Sequence, residues 1–219
     1  MNTSHTVASI ILAAGSSSRM GAGRHKLLLP LAGQPVLAHV IEATLASQAR
    51  PIVVVLGHQA SQVRTHIVAY TGHPHITIVE NPAYLQGMST SMRAGIHTLL
   101  ACTQQEAIVA PGAALILLGD QPFMTARVLD LLITAWQESG KRIIAPLYAG
   151  SRGNPVLFAA DLLPELLEVT GDEGGRSIVE RHRQEMATVE VSDAMASYDL
   201  DTWEAYQQAV KTWERKQDM

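Results

Sequence analysis

The order of apolar and polar segments predicts an α/β protein with a doubly wound, mostly parallel sheet of Rossmann-like type. Three observations support this class. Short apolar runs alternate with longer segments of helical character along the first two thirds of the chain. The apolar runs are continuous, as expected for strands that are buried on both faces. Glycine-rich or polar stretches follow several of these runs, and ligands of open α/β sheets bind where the strands end.

The elements are predicted in the following order. Strands are expected at Val7–Leu12, Ile52–Leu56, Ile76–Val79, Ala114–Leu118 and Ile143–Ala145. Helices are expected between them at Pro35–Ser47, Gln59–Tyr70, Ser89–Leu100 and Ala126–Glu138. Pro35 suits the first turn of its helix, because an N–H group has no partner within the helix there.

The pattern changes after Pro146. A loop is predicted at Gly150–Pro155, followed by a short strand at Val156–Phe158, two short helices, and a strand at Thr188–Val191. A last helix is expected to begin near Thr202. Neither a repeat nor a linker interrupts the chain, so we expect residues 1–219 to form a single domain.

Composition favours a cytoplasmic protein that binds neither nucleic acid nor membranes. The 219 residues are 47% hydrophobic and carry a net charge of −4 without a basic stripe, which argues against nucleic acid as a partner. The polar N-terminus lacks the features of a signal peptide, and no apolar segment approaches the length of a membrane span. Cys102 is the only cysteine, which excludes an intramolecular disulfide framework.

The loop of residues 14–26, called the phosphate loop below, follows the first predicted strand. Leu12 and Ala13 lead into this loop, and Ala14 and Gly15 begin it. All four are small or apolar, which allows backbone N–H groups to approach a ligand closely. Arg19 and Lys26 add two positive charges, so the segment is predicted to bind a polyphosphate. It fits neither the P-loop pattern nor the dinucleotide-binding pattern. The alternative is an ordinary strand-to-helix turn that contains two basic residues.

Two acidic segments are candidate metal sites. Asp120 follows the apolar run 115–118 and Gly119, so it is expected at the carboxyl end of a strand, where a carboxylate can bind Mg²⁺. Its alternative role is to cap the following helix. Asp199 and Asp201 would face the same side of a strand and could bind a divalent metal. Alternatively, Asp201 or Thr202 caps the last helix.

A third polar segment spans residues 81–91 and opens a predicted helix. Asn81, Gly87 and Ser89 offer an amide, a position for close backbone approach and a hydroxyl. The alternative is that Ser89 only caps the helix. Residues 87–91 nearly match a hydrolase nucleophile elbow, but Ser91 replaces its last glycine and no partner histidine is indicated.

Four motifs together resemble the MobA-like nucleotidyltransferases, in particular their branch of molybdenum cofactor cytidylyltransferases. They are Leu-Ala-Ala-Gly-x-Ser-x-Arg-Met-Gly at 12–21, Lys-Leu-Leu at 26–28, Gly-Asp-Gln-Pro at 119–122 and Asp-Leu-Asp-Thr at 199–202. The resemblance implies a fold of the nucleotide-diphospho-sugar transferase (GT-A) type and a Mg²⁺ cofactor bound by Asp120 and Asp201. It implies catalytic roles for Lys26, Arg19 and Asp120. The expected nucleotide-binding residues are Leu12, Ala13, Ala14, Gly15, Arg19, Lys26, Asn81, Gly87 and Ser89.

The same resemblance implies the substrates. A nucleoside triphosphate, CTP in this branch, would donate a nucleotidyl group to a phosphorylated pterin acceptor with release of pyrophosphate, and a molybdoenzyme could receive the product. Arg152, Asn154 and Arg176 are the expected acceptor-binding residues, with Asn154 standing where the family usually has histidine. The alternatives are a guanylyltransferase, a sugar-phosphate nucleotidyltransferase, or a non-catalytic protein that carries the cofactor.

Overall fold

The computed structural model describes residues 5–21, 23–105 and 110–217. Its strands are β1 (Val7–Ala13), β2 (Pro30–Leu31), β3 (Gln34–Pro35), β4 (Ile52–Leu56), β5 (Ile76–Glu80), β6 (Ala113–Leu118), β7 (Ile143–Tyr148), β8 (Ser151–Arg152), β9 (Val156–Ala159) and β10 (Met186–Val191). Its α-helices are α1 (Val36–Ala46), α2 (Ala60–His66), α3 (Met88–Gln105), α4 (Ala126–Ser139), α5 (Leu163–Leu167), α6 (Arg176–Arg181) and α7 (Trp203–Gln217).

Within these ranges the main sheet has eight strands in the order β10-β7-β9-β6-β1-β4-β5, with β8 paired to β7. The adjacent strands β6, β1, β4 and β5 run parallel to one another, and β7 runs parallel to β10. Strand β9 lies antiparallel between β6 and β7. The predicted α/β class with a mostly parallel sheet is therefore confirmed. Strand β9 separates the parallel strands β6, β1, β4 and β5 from the parallel pair of β7 and β10.

Burial on both faces explains why the central strands read as continuous apolar runs. Every residue of β1 is buried. Ile11 packs into the core on one face of the sheet, and Ile10 packs into the core on the other. Successive side chains of a strand point to opposite faces of the sheet. Since both faces are buried, both need apolar residues, and the sequence does not alternate between apolar and polar residues.

Helix α7 contributes to a third apolar cluster, in addition to the two that cover the faces of the sheet. Met20, Leu31 and Phe123 pack there against Leu200 and Tyr206. The Tyr206 hydroxyl donates a hydrogen bond of 2.6 Å to the carbonyl oxygen of Pro30. The C-terminal helix is thus fixed to the segment that follows the phosphate loop. No helix among the described residues is long and apolar enough to cross a bilayer.

Three local predictions were wrong. Pro35 does not lie in the first turn of α1; it pairs with Pro30 in the β2–β3 hairpin, and the helix begins at Val36. The predicted loop 150–155 contains the short strand β8, which folds back on β7. Asp199 and Asp201 are not in a strand. Two-residue strands are too short to show a hydrophobic period, and the irregular segment around Asp199 and Asp201 has none. The local sequence therefore could not reveal these features.

Candidate active site

A cleft of about 580 Å³ opens at the carboxyl ends of β1 and β6. It is lined by most of the residues that the sequence singles out for nucleotide, metal or catalysis. These are Leu12, Ala13, Ala14, Gly15, Arg19, Lys26, Gly87, Asp120 and Asp201. Parallel strands β1 and β6 are neighbours, which is why loops about 100 residues apart in sequence meet at one edge of the sheet.

The phosphate loop, in its described residues 14–21 and 23–26, is held by hydrogen bonds at both ends. The carbonyl oxygen of Ala14 accepts a bond from the backbone N–H of His58 at 3.1 Å. The Ser17 hydroxyl oxygen accepts a bond from the backbone N–H of Lys26, also at 3.1 Å. A Cβ atom added to Gly15 would meet nothing within 4 Å. The loop therefore leaves open space at its first glycine, where a ligand can approach the backbone.

Lys26 is the centre of an ionic cluster on the floor of the cleft. Its ammonium group contacts a carboxylate oxygen of Asp120 and lies 2.9 Å from Oδ1 of Asp201. Arg19 approaches the other oxygen of Asp201 at 3.0 Å. The side chains of Lys26 and Asp120 are only 14% and 13% exposed, whereas that of Arg19 is 74% exposed. Lys26 is therefore fixed, and Arg19 is free to turn toward a ligand.

The charges of this cluster shift the pKa values of its members. Burial alone would lower the pKa of the Lys26 ammonium, but Asp120 and Asp201 outweigh burial and raise it. The hydrogen bond from Lys26 is the main reason that the pKa of Asp201 lies below its usual value. Lys26 is consequently a permanent cation, as a residue that stabilises phosphate charge must be.

Asp199 brings a third carboxylate to the cluster. Burial, followed by the charge of Asp120, raises its pKa to about 6. The Gln121 amide donates a hydrogen bond of 2.9 Å to Asp199, which fixes the orientation of the carboxyl group. Asp199 also lines the cleft. Three carboxylates thus face two cations, and this excess of negative charge favours a further cation.

The carboxylates suit a hard divalent metal. Asp120 and Asp201 both reach the same Lys26 ammonium, so their oxygens converge on one point. Carboxylate oxygens are the donors that Mg²⁺ prefers, with phosphates and water completing the coordination. The described residues contain no preformed group of three His, Cys, Asp or Glu ligands.

The capping alternative for the last helix is resolved by its hydrogen bonds. The Thr202 hydroxyl accepts a bond from the backbone N–H of Ala205 at 3.1 Å. Asp201 instead forms its ion pairs with Lys26 and Arg19. Thr202 is thus the cap of α7, which leaves the Asp201 carboxylate for the cleft.

Asn81 and Ser89 lie beneath the cleft and do not line it. The Asn81 amide nitrogen donates hydrogen bonds to the hydroxyls of Thr90 at 2.8 Å and Ser91 at 3.0 Å, and its oxygen accepts one from Ala83. Ser89 is fully buried, and its hydroxyl has no partner among the described residues. In this conformation Asn81 positions the loop 81–91, and the Ser89 hydroxyl caps nothing.

Gly87 lines the cleft. The close backbone approach at this glycine is made by another segment of the protein. Its φ is +109°, and an added Cβ would lie 2.6 Å from the backbone of Gly171. The carbonyl oxygen of Gly171 also accepts a hydrogen bond from the N–H of Ser89 at 3.0 Å. Glycine is required at position 87 because the loop at Gly171 crosses directly over it.

Asp172 is a site residue to which the sequence analysis gave no role. Its carboxylate accepts a hydrogen bond of 2.9 Å from the backbone N–H of Met88, the first residue of α3. It therefore caps a helix that is 84 residues away in sequence, and no local pattern announces such a contact. Asp172 also lines the cleft and a second cavity that adjoins it.

Tyr84 was likewise missed, although it lies within a segment singled out by the sequence. It lines the cleft, and its hydroxyl is 3.3 Å from Nδ1 of His58. The His58 ring stacks on His25 with centroids 5.5 Å apart. His25 is buried, which lowers its pKa. The histidine next to Lys26 is therefore packed behind the Tyr84 wall of the cleft, through the ring of His58.

A second cavity of about 540 Å³ adjoins the cleft. Its lining includes all three predicted acceptor residues, Arg152, Asn154 and Arg176. Buried apolar side chains also line it, among them Met92, Ile116 and Phe158. Arg152 forms an ion pair of 2.7 Å with Glu180. The two cavities share Leu12, Met88, Leu118 and Asp172, so a ligand in one can contact a ligand in the other.

A doubly wound sheet with a small-residue loop, fixed cations and convergent carboxylates defines a nucleotide-binding α/β protein of the nucleotidyltransferase class. Residues 9–186 match the family model of the MobA-like NTP transferase domain. The chain belongs to this family, and it is a nucleotidyltransferase whose substrates include a nucleoside triphosphate. The predicted family membership is confirmed.

Two curated relatives differ in how much of them the chain covers. The molybdenum cofactor cytidylyltransferase of Escherichia coli K12 is 29% identical over 88% of this chain and 90% of its own length. The bifunctional protein GlmU of Geobacter sulfurreducens is 33% identical over 61% of this chain, but over only 26% of its own length.

The solved structures confirm the fold. The crystal structure of a Mycobacterium tuberculosis Rv0371c homolog from Mycobacterium sp. strain JC1 has a TM-score of 0.77 with this chain at 26% identity. The superposition covers 97% of this chain and 98% of the other. The shared fold thus extends over nearly the whole of both chains.

Proposed function

We propose that this protein transfers CMP from CTP to a phosphorylated pterin, the molybdenum cofactor, with release of pyrophosphate. The observation that carries the proposal is the ionic cluster in which Lys26 and Arg19 meet Asp120 and Asp201 beside an open phosphate loop. The near full-length similarity to the E. coli molybdenum cofactor cytidylyltransferase supports the choice of substrates.

In the proposed reaction an oxygen of the acceptor's terminal phosphate attacks the α-phosphorus of CTP. A new P–O bond forms, the bond between the α-phosphorus and the bridging oxygen breaks, and pyrophosphate leaves with the electron pair. Negative charge accumulates on the leaving group and on the α-phosphate oxygens. Lys26, held at the floor of the cleft, stabilises this charge, and the exposed Arg19 turns from Asp201 toward the triphosphate.

Asp120 and Asp201 are the proposed Mg²⁺ ligands. When bound, Mg²⁺ would neutralise phosphate charge and orient the triphosphate. Without it, Lys26 holds the two carboxylates together. Asp199 remains the alternative second ligand, since it lines the same cleft.

The adjoining cavity is the proposed acceptor site. Its apolar floor of Met92, Ile116 and Phe158 suits a flat heterocycle, and Arg152 and Arg176 at its rim suit a phosphate. Arg152 must exchange its partner Glu180 for the acceptor. The Asn154 side chain supplies an amide where the family usually has histidine, so it can form hydrogen bonds but cannot titrate.

Release of pyrophosphate tests the proposal. Purified protein, Mg²⁺ and molybdenum-pterin acceptor are incubated with CTP, GTP, UTP or ATP in turn, and then with sugar phosphates in place of the pterin. We expect release with CTP and the pterin. Preference for GTP would assign guanylyl transfer, and turnover only with a sugar phosphate would replace the acceptor. Tight pterin binding without pyrophosphate would indicate a carrier, and a molybdoenzyme that stimulates release would identify a recipient.

A further inference from the structure

Arg24 lies in the phosphate loop but outside the ionic cluster. Its guanidinium carbon is 4.2 Å from the centre of the Trp203 ring, and one of its nitrogens donates a hydrogen bond of 3.3 Å to the carbonyl oxygen of Met20. The same nitrogen lies 3.1 Å from where a Cβ of Gly21 would be. The Arg24 side chain thus folds back over its own loop and ends on the C-terminal helix.

The position of Trp203 in this contact is fixed by its neighbours. It is the first residue of α7 and follows Asp201 by two positions. Its ring packs against Tyr206 with centroids 5.0 Å apart, and the Tyr206 hydroxyl donates to the carbonyl oxygen of Pro30 at 2.6 Å. Trp203 is therefore fixed between the chain that follows the phosphate loop and the segment that carries Asp201.

The backbone around Arg24 needs such a support. Gly21 and Gly23 both have positive φ angles, +85° and +75°, and glycine is the residue with the largest conformational freedom. Lys26, which follows, must reach Asp120 and Asp201. The contacts that hold this part of the loop include the buried Met20 and His25, the Ser17–Lys26 hydrogen bond and the Arg24–Trp203 pair.

We infer that Arg24 and Trp203 are positioning residues, which hold the phosphate loop in the conformation that receives the triphosphate. The guanidinium is attracted to the face of the indole ring. The pair preorganises the loop, so the nucleotide need not order the glycine segment when it binds. This inference rests on the proposed function only in that the ligand is a magnesium–triphosphate; it does not depend on the base or on the acceptor.

Two single variants and their double variant test the pair. Arg24→Gln removes the cation while keeping a similar length, and Trp203→Leu removes the aromatic face. For an exposed cation–π contact, each is expected to raise the Kd of magnesium–CTP roughly two- to fivefold. Arg24→Gln should raise KM by the same factor with kcat within about twofold, because the bound loop still presents Lys26. The double variant should be no worse than the poorer single variant.

Three comparisons separate positioning from other causes. Arg24→Lys keeps a cation and should recover part of the affinity. Arg127→Gln, the same loss of charge on the exposed surface of α4, should leave Kd unchanged. Magnesium tripolyphosphate, which has no base, should lose affinity for the variants by the same factor as magnesium–CTP.

Three results would contradict the inference, and a fourth would contradict the proposed function. If the parent binds both ligands and the losses of the two single variants add in the double variant, the pair is not coupled and the inference is wrong. The inference also fails if Arg24→Lys behaves like Arg24→Gln, or if affinity changes for CTP but not for tripolyphosphate. A parent that binds no magnesium–triphosphate would contradict the proposed function itself. Thermal unfolding of Arg24→Gln should match the parent, because Arg24 is exposed.

Discussion

Two ionic clusters of this protein differ in their charge balance. The cleft is lined by the carboxylates of Asp120, Asp199 and Asp201 and by the cations of Lys26 and Arg19, and Asp172 adds a fourth carboxylate to its wall. The second ionic cluster lies where β7 begins and contains Arg142, Asp161, Glu165, Arg181, His182 and Glu185. With His182 protonated, its three acids meet three cations. None of these six residues lines either cavity.

The difference indicates which cluster serves a ligand. The second cluster pairs each of its charges with an opposite one, as in the contact of 3.0 Å between Arg142 and Asp161, and it ties α5 and α6 to the sheet. The cleft holds an excess carboxylate, so its charges are balanced only when a further cation arrives. We expect substitutions in the cleft to change catalysis more than stability, and substitutions in the second cluster to do the reverse.

The largest effect is expected from Lys26→Ala. Loss of a fixed charge at the phosphates should lower kcat per folded molecule roughly 10²- to 10³-fold, about 3–4 kcal/mol. The measurement is pyrophosphate release, corrected for the folded fraction by circular dichroism. Lys211→Ala, on the exposed surface of α7, is the matched control. Near-normal turnover by folded Lys26→Ala would remove this residue from the proposed chemistry.

Asp120→Asn tests whether the carboxylate excess serves a metal. The amide keeps the shape but loses the charge, so the Mg²⁺ requirement should rise and turnover should fall about 10²-fold. Magnesium titrations of pyrophosphate release and of nucleotide binding should change together. Asp161→Asn in the second cluster removes the same charge and should leave both titrations as in the parent. Reduced stability with unchanged activity for Asp120→Asn would limit Asp120 to holding Lys26 in place, since Thr125 is the residue that caps α4.

Ala14→Gly tests the uncharged wall of the cleft. Ala14 is 5% exposed, and a Cβ on Gly57 would lie 2.7 Å from its methyl group, so little space remains at this turn. Loss of the methyl group should admit a purine more readily and lower the ratio of kcat/KM for CTP over GTP about tenfold. The Mg²⁺ dependence should not change. A parent that prefers GTP would contradict cytidylyl transfer, and a ratio that stays constant would assign base selection to the loop 81–91.

The smallest effect concerns the pH dependence of the second cluster. Hydrogen bonds to Glu185 and Glu165 raise the pKa of His182, so its stabilisation is complete below the unfolded value of about 6.5 and is lost as pH rises through the folded pKa. The bond from His182 lowers the pKa of Glu165, whose contribution is lost as pH falls. His182→Gln should therefore lower the free energy of unfolding by about 0.5–1 kcal/mol near pH 5.5. Urea unfolding should show this difference vanish near pH 9, and pyrophosphate release should be unaffected. A difference that persists at pH 9 would show that packing, not charge, is responsible.

Most of the fold could be predicted from sequence, because burial on both faces leaves an unmistakable apolar run. The strand Ile52–Leu56 is predicted with the bounds that the structure has, and the loops that are predicted to bind a ligand after β1 and β6 do line one cleft. The hairpin β2–β3 and strand β8 were missed, since two-residue strands carry no periodicity. The path of β9 between β6 and β7 depends on pairing that no local pattern specifies.

The sequence by itself therefore determined the longer strands, the position of the glycine-containing loop after β1 and the residue types of the site, because apolar runs, glycines and charges are local properties. Only the tertiary structure decided which groups meet. It placed Asp120 and Asp201 on one lysine, assigned the helix cap to Thr202, brought Asp172 to the start of α3 and set Arg24 on Trp203. Except for the Thr202 cap, which is local, these contacts join residues that are 84 or more positions apart in sequence, and their free energy arises from packing that exists only once the sheet has formed.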